Sequence, residues 1–505
     1  MEALLNGFAI IFEPITLLYL AGGTIMGVLL GAMPGISTSM ALVLAMTFTF
    51  TMNPIQAITF LVAVYCASNT GGGITAILFN IPGNPQSAPT TFDGYPMSRK
   101  GEGGKALGLT ILASAVGGTV AALVMLLLSP QLMAAALTFG PSEMFAITFL
   151  GLSVLTCLDS GKMIQTIISG LLGLVLATVG MDPIAGFARF TWGNPTLLSG
   201  ISLIPVMIGM FAVAEVLKQT ISYKAVDSGG VDLKKTKTQF ASFKELMSYK
   251  GAFFRGSAVG SLIGVLPGAG ATIASFLAYT AEVKSSKEPE SFGQGNPRGV
   301  IASESASNAS AGGAMVPLLS LGIPGGNAAA VMMSALMIHG VQMGPMLLQR
   351  QPEYLHTVFA AIMFTNIFMI FVAMLIARGF AKILNIPYNI LGTLILLLSA
   401  IGAFALAGST GDVTLMLGAG IIGYFFVKQG FNVAALVLGL VLGELVEVNL
   451  RRAITLNNGD LVAIFTRPIT AILMIACIVM LLTPVLLPLI KKVRNKGKED
   501  KGNEA

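Results

Sequence analysis

The stretch Gly23–Ser39, GTIMGVLLGAMPGISTS, decides the architecture, because its frame returns as GSAVGSLIGVLPGAGAT at Gly256–Thr272. Gly23, Gly27, Gly31, Pro34 and Gly35 reappear as Gly256, Gly260, Gly264, Pro267 and Gly268, each 233 residues later. Five matches at one offset read as an internal duplication. Glycine at every fourth residue puts a bare stripe on one helix face, where a second helix can approach closely. Pro-Gly at the end of the stripe removes a helical donor and adds a glycine cost of about 1 kcal/mol, so each copy predicts a helix that stops there. Ser37, Thr38 and Ser39 then sit where the next half-helix begins, with N-cap hydroxyls and backbone amides that attract an anion.

The rest of the chain is membrane protein. Hydrophobic residues make up 54% and charged residues 10%, against about 25% charged in a soluble domain. Apolar runs able to cross a hydrocarbon core of roughly 30 Å recur along the whole length. Between Lys218 and Lys250 they are interrupted by a polar stretch carrying seven lysines, which the positive-inside rule places in the cytoplasm. The first fifteen residues carry Glu2 and Glu13 but no Lys or Arg, which places the N-terminus outside. An odd number of crossings then separates the two glycine ladders, so the copies lie in opposite orientations. Lys284, Lys287 and Arg298 pull the other way and are offset by Glu282, Glu288 and Glu290.

The expected fold is therefore an all-α polytopic membrane protein. It has two inverted repeats with broken helices and re-entrant or half-helix segments, plus a C-terminal span. The boundaries are a first repeat at 1–218, a basic cytoplasmic linker at 219–250, a second repeat at 251–463, and a terminal span with a basic cytoplasmic tail at 464–505. The net charge of +6 lies in short loops and the tail, where it sets topology and implies no nucleic acid. Cys66, Cys157 and Cys477 are scattered singly, which fits neither a metal cluster nor a disulfide framework.

A second element is also doubled. ASNTGGG at 67–73 leads to IPG at 81–83, and ASNASAGG at 306–313 leads to IPG at 323–325. With the asparagines aligned, the second copy is three residues longer before IPG. Ser68, Asn69, Thr70, Gly71 and Gly72 in one copy, and Ser307, Asn308, Ser310 and Gly312 in the other, combine polar side chains with glycine backbone. That mixture can offer carbonyls to a cation and amides to a carboxylate; the competing use is hydrogen bonding between helices. Glu304, one turn before Asn308, is a candidate for ion coupling, or else marks a helix start at the surface. Asp412 is expected to cap a helix, and Glu444 and Glu447 to pair with Arg451 and Arg452.

No enzyme is expected. GIST at 35–38 looks superficially like a serine nucleophile, but His339 and His356 lie some 300 residues away, without a supporting motif. No GxxxxGK[ST] occurs. No catalytic residue, no cofactor and no metal other than Na⁺ at the breaks is implied. A channel with duplicated pore segments is the alternative to a carrier.

Five blocks carry a family resemblance: GAMPGISTSMALVL, YCASNTGGGITAILFNIPGNPQSAPTTFDGYPM, GMDPIAGFARFTWG at 180–193, GVLPGAGATIASFLAY, and LGELVEVNLRRAITLNNGD at 442–460. With these the chain resembles the large integral membrane subunit of the tripartite tricarboxylate transporter family. The resemblance implies an ion-coupled secondary transporter in the bacterial inner membrane, N-terminus periplasmic and C-terminus cytoplasmic, working with a small membrane subunit and a periplasmic solute-binding protein. Its substrate would be a tricarboxylate or related organic carboxylate, and its coupling ion Na⁺ or H⁺. It also implies that the breaks form the substrate and ion site, here Pro34, Gly35, Ser37, Thr38, Ser39, Ser68, Asn69, Thr70, Gly71 and Gly72 in the first repeat. In the second repeat they are Pro267, Gly268, Gly270, Thr272, Ser307, Asn308, Ser310 and Gly312. Gly270 and Ala271 stand where the first copy has Ser37 and Thr38, so the halves cannot hold identical ligands.

Overall fold

The computed structural model describes the backbone of residues 2–158, 162–222, 243–266, 270–383 and 388–482. Residues 223–242 of the basic linker, Pro267, Gly268 and the basic tail from 483 onward lie outside the described residues. Helices dominate, and the strands among the described residues are one short antiparallel pair, Gly180–Met181 with Ala188–Arg189. Seven helices among the described residues are long and apolar enough to cross a membrane. The protein is an all-α, multi-pass membrane protein. It comprises two compact units, residues 1–137 with 202–425, and residues 138–201 with 426–505.

In the larger unit the predicted breaks are present. The first ladder helix, Pro14–Ala32, ends on an extended Met33, and Gly35 takes a φ of 88°. Ser37 Oγ then accepts the Met40 amide at 3.2 Å and starts the half-helix Thr38–Met46. The second ladder helix, Lys250–Val265, ends on an extended Leu266, and the next helix, Gly270–Ser285, opens on Gly270 at a φ of 68°.

Each ladder packs on the long helix that follows it. Gly23, Gly27 and Gly31 lie against the backbone of Phe60, Val64 and Ser68 on the helix Pro54–Phe79. Gly256, Gly260 and Gly264 lie against Ala302, Ala306 and Ser310 on the helix Pro297–Leu321. The step is constant within each pair, 37 residues in the first and 46 in the second, as the numbering of these contacts shows. A β-carbon at any of these glycines would meet main chain, so the stripe exists to bring backbones together.

Two expectations need correction. The Ser-Asn-Gly segments are not breaks: Ser68–Gly73 and Ser307–Gly313 run inside unbroken helices. Their glycines are contact points, Gly71 against Val28 and Ala32, and Gly312 against Ala121, so their backbone groups stay in the helical ladder. Nor do the two asparagines correspond. Left-handed Asn80 and Gly322 end the two long helices 242 residues apart. Gly83 sits on Gly31 and Gly72, and Gly325 on Gly264 and Ala314, at that same long-helix spacing. Packing therefore pairs Ser68 with Ser310 and Asn69 with Ala311, leaving Asn308 three residues before the position that packs as Asn69 does.

The two long helices meet at Tyr65 with Ala311, Thr70 with Asn308, and Gly73 with Glu304. One number rises as the other falls, so they run antiparallel. The helix Gly103–Ala136 lies along Pro297–Leu321 in the parallel sense, with Ser114 at Glu304, Gly117 at Ser305 and Ser129 at Ser320. Asp93 ties the loop before Pro297 down. Its Oδ1 accepts amides from Gly293, Gly295 and Asn296 at 2.8, 2.9 and 2.8 Å, and its Oδ2 accepts the Tyr279 hydroxyl at 2.9 Å.

In the smaller unit, Met163–Ala177 and Val433–Leu456 cross where Gly173 meets Leu436 and Gly439 meets Gly170. The pairing of Glu447 with Arg451 is found, at 3.0 Å, and extends to partners that sequence reading did not supply. Arg189 reaches Glu447 at 2.6 Å, and Arg451 reaches Asp182 at 2.7 Å. Amides of Ala185 and Ile184 and the Arg451 guanidinium outweigh desolvation and hold the Asp182 carboxyl down at about 2. Asp412 lies in the first turn of Thr410–Gln429, but Ser409 supplies the cap, accepting the Gly411 amide at 3.1 Å.

Candidate functional site

The first break folds onto the middle of its long helix. Thr38 Oγ1, on the first turn of the half-helix, donates to Asn69 Oδ1 at 2.9 Å. Gln86 Nε2 donates to Thr38 Oγ1 at 3.0 Å and to Asn69 Oδ1. Asn84 Nδ2 donates to the carbonyl oxygens of Ser68 and Asn69 at 3.0 and 3.4 Å, while its Oδ1 accepts the Ser87 amide at 3.1 Å. Asn80 in the left-handed region and Pro82 turn the chain back so that Asn84 and Gln86 reach the helix they have just left. Asn69 and Gln86 are both buried. Asn69 Nδ2 and Gln86 Oε1 hold no hydrogen bond among the described residues, which leaves one amide donor group and one acceptor for a ligand.

From Asn69 the polar seam crosses to the other repeat. Thr70 Oγ1 donates to Asn308 Oδ1 at 3.2 Å, and Asn308 Nδ2 donates to the Glu304 carbonyl at 3.2 Å. Glu304 is fully buried inside Pro297–Leu321, not at a helix start. Its Oε1 accepts the Thr90 hydroxyl, and its Oε2 accepts Ser114 Oγ at 3.2 Å. Ser303 Oγ lies 3.2 Å from Thr90 Oγ1, and Thr110 packs on Gly73 beside the carboxylate with its own hydroxyl unpaired. Among the described residues no Lys, Arg or His pairs with Glu304. These two hydroxyl hydrogen bonds are the compensation that the enclosed carboxylate finds among the described residues.

The remaining sequence candidates separate by role. Thr38, Asn69, Thr70 and Asn308 meet in the seam, and the Ser68 carbonyl joins them. Ser37 is spent as a cap, and Gly35 sits against Gln219. Pro34 stands at the break, and Ser39 is buried in the half-helix. Gly71 and Gly72 serve packing, on the ladder helix and Asn84 respectively. In the second repeat, Ser307 and Ser310 are fully buried with unpaired hydroxyls. Gly270 donates its amide to Gly325 at 3.3 Å; Thr272 lends its carbonyl to Ser275, and Gly312 packs on Ala121. Pro267 and Gly268 lie outside the described residues. Sequence reading missed Asn84, Gln86, Thr90 and Ser114. The NPQSAPT run after the first IPG was the available signal for three of them, and nothing local marks Ser114. No group of three or more His, Cys, Asp or Glu able to hold a metal occurs among the described residues.

A family model described as "Tripartite tricarboxylate transporter TctA family" matches residues 17–438. An Agrobacterium vitis protein described as an uncharacterized 52.8 kDa protein in the TAR-I ttuC' 3' region is 36% identical over 493 residues, 97% of each chain. A second protein of that organism, from the TAR-II ttuC' 3' region, is 36% identical over 228 residues, covering 45% of this chain and 94% of its own. No solved structure matches.

Proposed function

Because the chain belongs to the tripartite tricarboxylate transporter TctA family, we propose that it is the carrier subunit of such a system. It takes a tricarboxylate or related organic carboxylate, handed over by a periplasmic solute-binding protein, across the inner membrane on a Na⁺ or H⁺ gradient. A small membrane subunit completes the assembly. The observation that carries this reading is the buried seam from Gln86 through Asn69, Thr70 and Asn308 to Glu304, placed where two long helices run antiparallel. Antiparallel halves with interrupted helices suit an inverted repeat that rocks about a central site, and the N-terminus is then periplasmic and the basic tail cytoplasmic.

In this reading the Asn69 amide and the start of the half-helix Thr38–Met46 hold substrate carboxylate oxygens through hydrogen bonds and the helix dipole. Glu304 takes the coupling cation, which offsets part of the cost of bringing a multiply charged anion into a low-dielectric site. Hydrogen bonds do the holding, with no bond of the substrate broken, so the protein is a carrier and not an enzyme.

The test is uptake into proteoliposomes of a panel of carboxylates, with the solute-binding protein and small subunit supplied, with and without Na⁺ and pH gradients. Wild type is compared with Asn69→Ala and Asn308→Ala. Asn69→Ala should lose about tenfold or more in uptake, as expected when one hydrogen bond to a charged ligand, about 1.5–3 kcal/mol, is removed, and Asn308→Ala should lower uptake by breaking the seam between Thr70 and Glu304. Undiminished uptake in both would sink the site assignment, and uptake indifferent to both gradients would sink the coupling.

A further inference from the structure

We infer that Gln86 reads a hydroxyl group of the substrate, which makes the carried anion a 2-hydroxy carboxylate. This rests on the carrier reading and narrows its substrate class. Thr38, Asn69 and Gln86 close a triangle of hydrogen bonds: Thr38 Oγ1 and Gln86 Nε2 both donate to Asn69 Oδ1, and Gln86 Nε2 also donates to Thr38 Oγ1 at 3.0 Å. Both hydrogens of the Gln86 amide are spent inside the triangle. Gln86 Oε1 and Asn69 Nδ2 are left over on its rim, without a partner among the described residues. Asn69 is 2% and Gln86 7% exposed. Unlike the unpaired hydroxyls of Ser307 and Ser310, which are sealed, these two atoms keep accessible surface. A buried acceptor without a donor is costly, so the pair suits a group that enters and supplies one.

The acceptor is held in place. Asn84 pins the turn that carries Gln86, its Nδ2 donating to the Ser68 and Asn69 carbonyls and its Oδ1 accepting the Ser87 amide. Turning the Gln86 amide over would set Oε1 against Asn69 Oδ1, two acceptors face to face. A carboxylate oxygen therefore suits Asn69 Nδ2 but not Gln86 Oε1, because an ionised carboxylate only accepts. A hydroxyl on the carbon next to the carboxylate supplies the missing donor. The carboxylate takes the Asn69 amide and the first-turn amides of Thr38 and Ser39, which carry no hydrogen bond among the described residues, and the hydroxyl donates to Gln86 Oε1. At the three matching places the second repeat has Ala271, Ala311 and Ala328, so one half alone reads the hydroxyl. A carboxylic acid that keeps its proton also sets a donor beside an acceptor, and pH separates it from a hydroxyl.

The test uses acids that differ by one hydroxyl, citrate against tricarballylate and malate against succinate. Each is titrated calorimetrically into the purified full chain in nanodiscs, in Na⁺ buffer and without the solute-binding protein, so that only this chain's selectivity is read. At about pH 8, where the carboxyl groups are ionised, wild type should bind the hydroxy acid of each pair at least about tenfold more tightly, since a site built to hydrogen-bond a hydroxyl rejects the analogue without it. Gln86→Met, which keeps the length and removes the acceptor, should bring both ratios to within about twofold. A purely structural loss would instead weaken both members of a pair alike and leave the ratio standing, which overturns the inference. Equal affinities in wild type also overturn it, Oε1 then holding only water, and this measurement needs no variant to fold. Parity reached by tricarballylate and succinate at about pH 5 assigns the donor to a carboxyl proton and overturns it as well. In each of these cases the carrier reading stands, because the acids bind; if none of the four binds, the substrate site of that reading falls together with the role of Gln86.

Discussion

Glu304→Gln isolates the role of the enclosed carboxylate. The charged side chain costs about 2.5–3.5 kcal/mol at membrane depth. It recovers a comparable amount from hydroxyl hydrogen bonds of about 1.5–3 kcal/mol each, donated by Thr90 and by Ser114 at 3.2 Å. Glutamine keeps the volume, still accepts from one hydroxyl and can donate to the other, so stability should change by no more than about 1 kcal/mol. Coupling should change far more. A tenfold cation gradient is worth about 1.4 kcal/mol and sustains at most about tenfold substrate accumulation per cation. With the membrane potential clamped at zero, wild type in proteoliposomes should approach that ratio. Glu304→Gln should equilibrate to a ratio of about one while still exchanging labelled for unlabelled substrate. Tenfold accumulation by Glu304→Gln would refute the assignment of the cation to this side chain.

Three further outcomes test the scaffold. Gly31→Val drives a side chain into the Ser68 backbone and should cost about 3 kcal/mol in a thermal-shift assay, whereas Gly22→Ala, exposed and 4.0 Å from Phe60, should be neutral or slightly stabilising. Asp93→Ala strands three amides and the Tyr279 hydroxyl; it should lower stability by about 3–5 kcal/mol and quicken tryptic cleavage after Lys287, which is exposed, while Tyr279→Phe should cost about 1 kcal/mol. Asp182 has its carboxyl lowered from 3.8 to about 2. Its contribution is therefore complete above about pH 4 and lost as pH falls towards 2. Emission from Trp192, the only tryptophan, should report that acid transition, and Asp182→Asn should remove it.

The ladders and their terminating Pro-Gly were legible because a glycine stripe has few uses in a membrane helix, and because the same five positions occur twice. The capping by Ser37 followed from the same pattern. The glycines beside the asparagines misled, since glycine in a helix signals either an opening or a close neighbour, and only the presence of Val28, Ala32 and Ala121 decides between them. Matching letters paired Asn69 with Asn308, whereas the contacts of Gly31 and Gly264 pair Ser68 with Ser310. Packing register belongs to the partner helix and is not written in either copy alone. Thr90 and Ser114 were unreadable for a related reason. Each reaches Glu304 across roughly 200 residues of chain, at separations of 214 and 190, and a single hydroxyl in an apolar run carries no local mark.

The unlike halves have a further consequence. Thr38, Asn69, Asn84 and Gln86 occupy places where the other repeat has Ala271, Ala311, Gly326 and Ala328. In a carrier built from identical inverted halves, the inward-open and outward-open forms are mirror conditions of one another and equal in energy. Here the amide and hydroxyl bonds of one half have no counterpart to exchange with. Each bond worth about 1 kcal/mol tilts the balance of the empty carrier roughly fivefold. If the chain works as the proposed carrier, its unlike halves give it a preferred resting side.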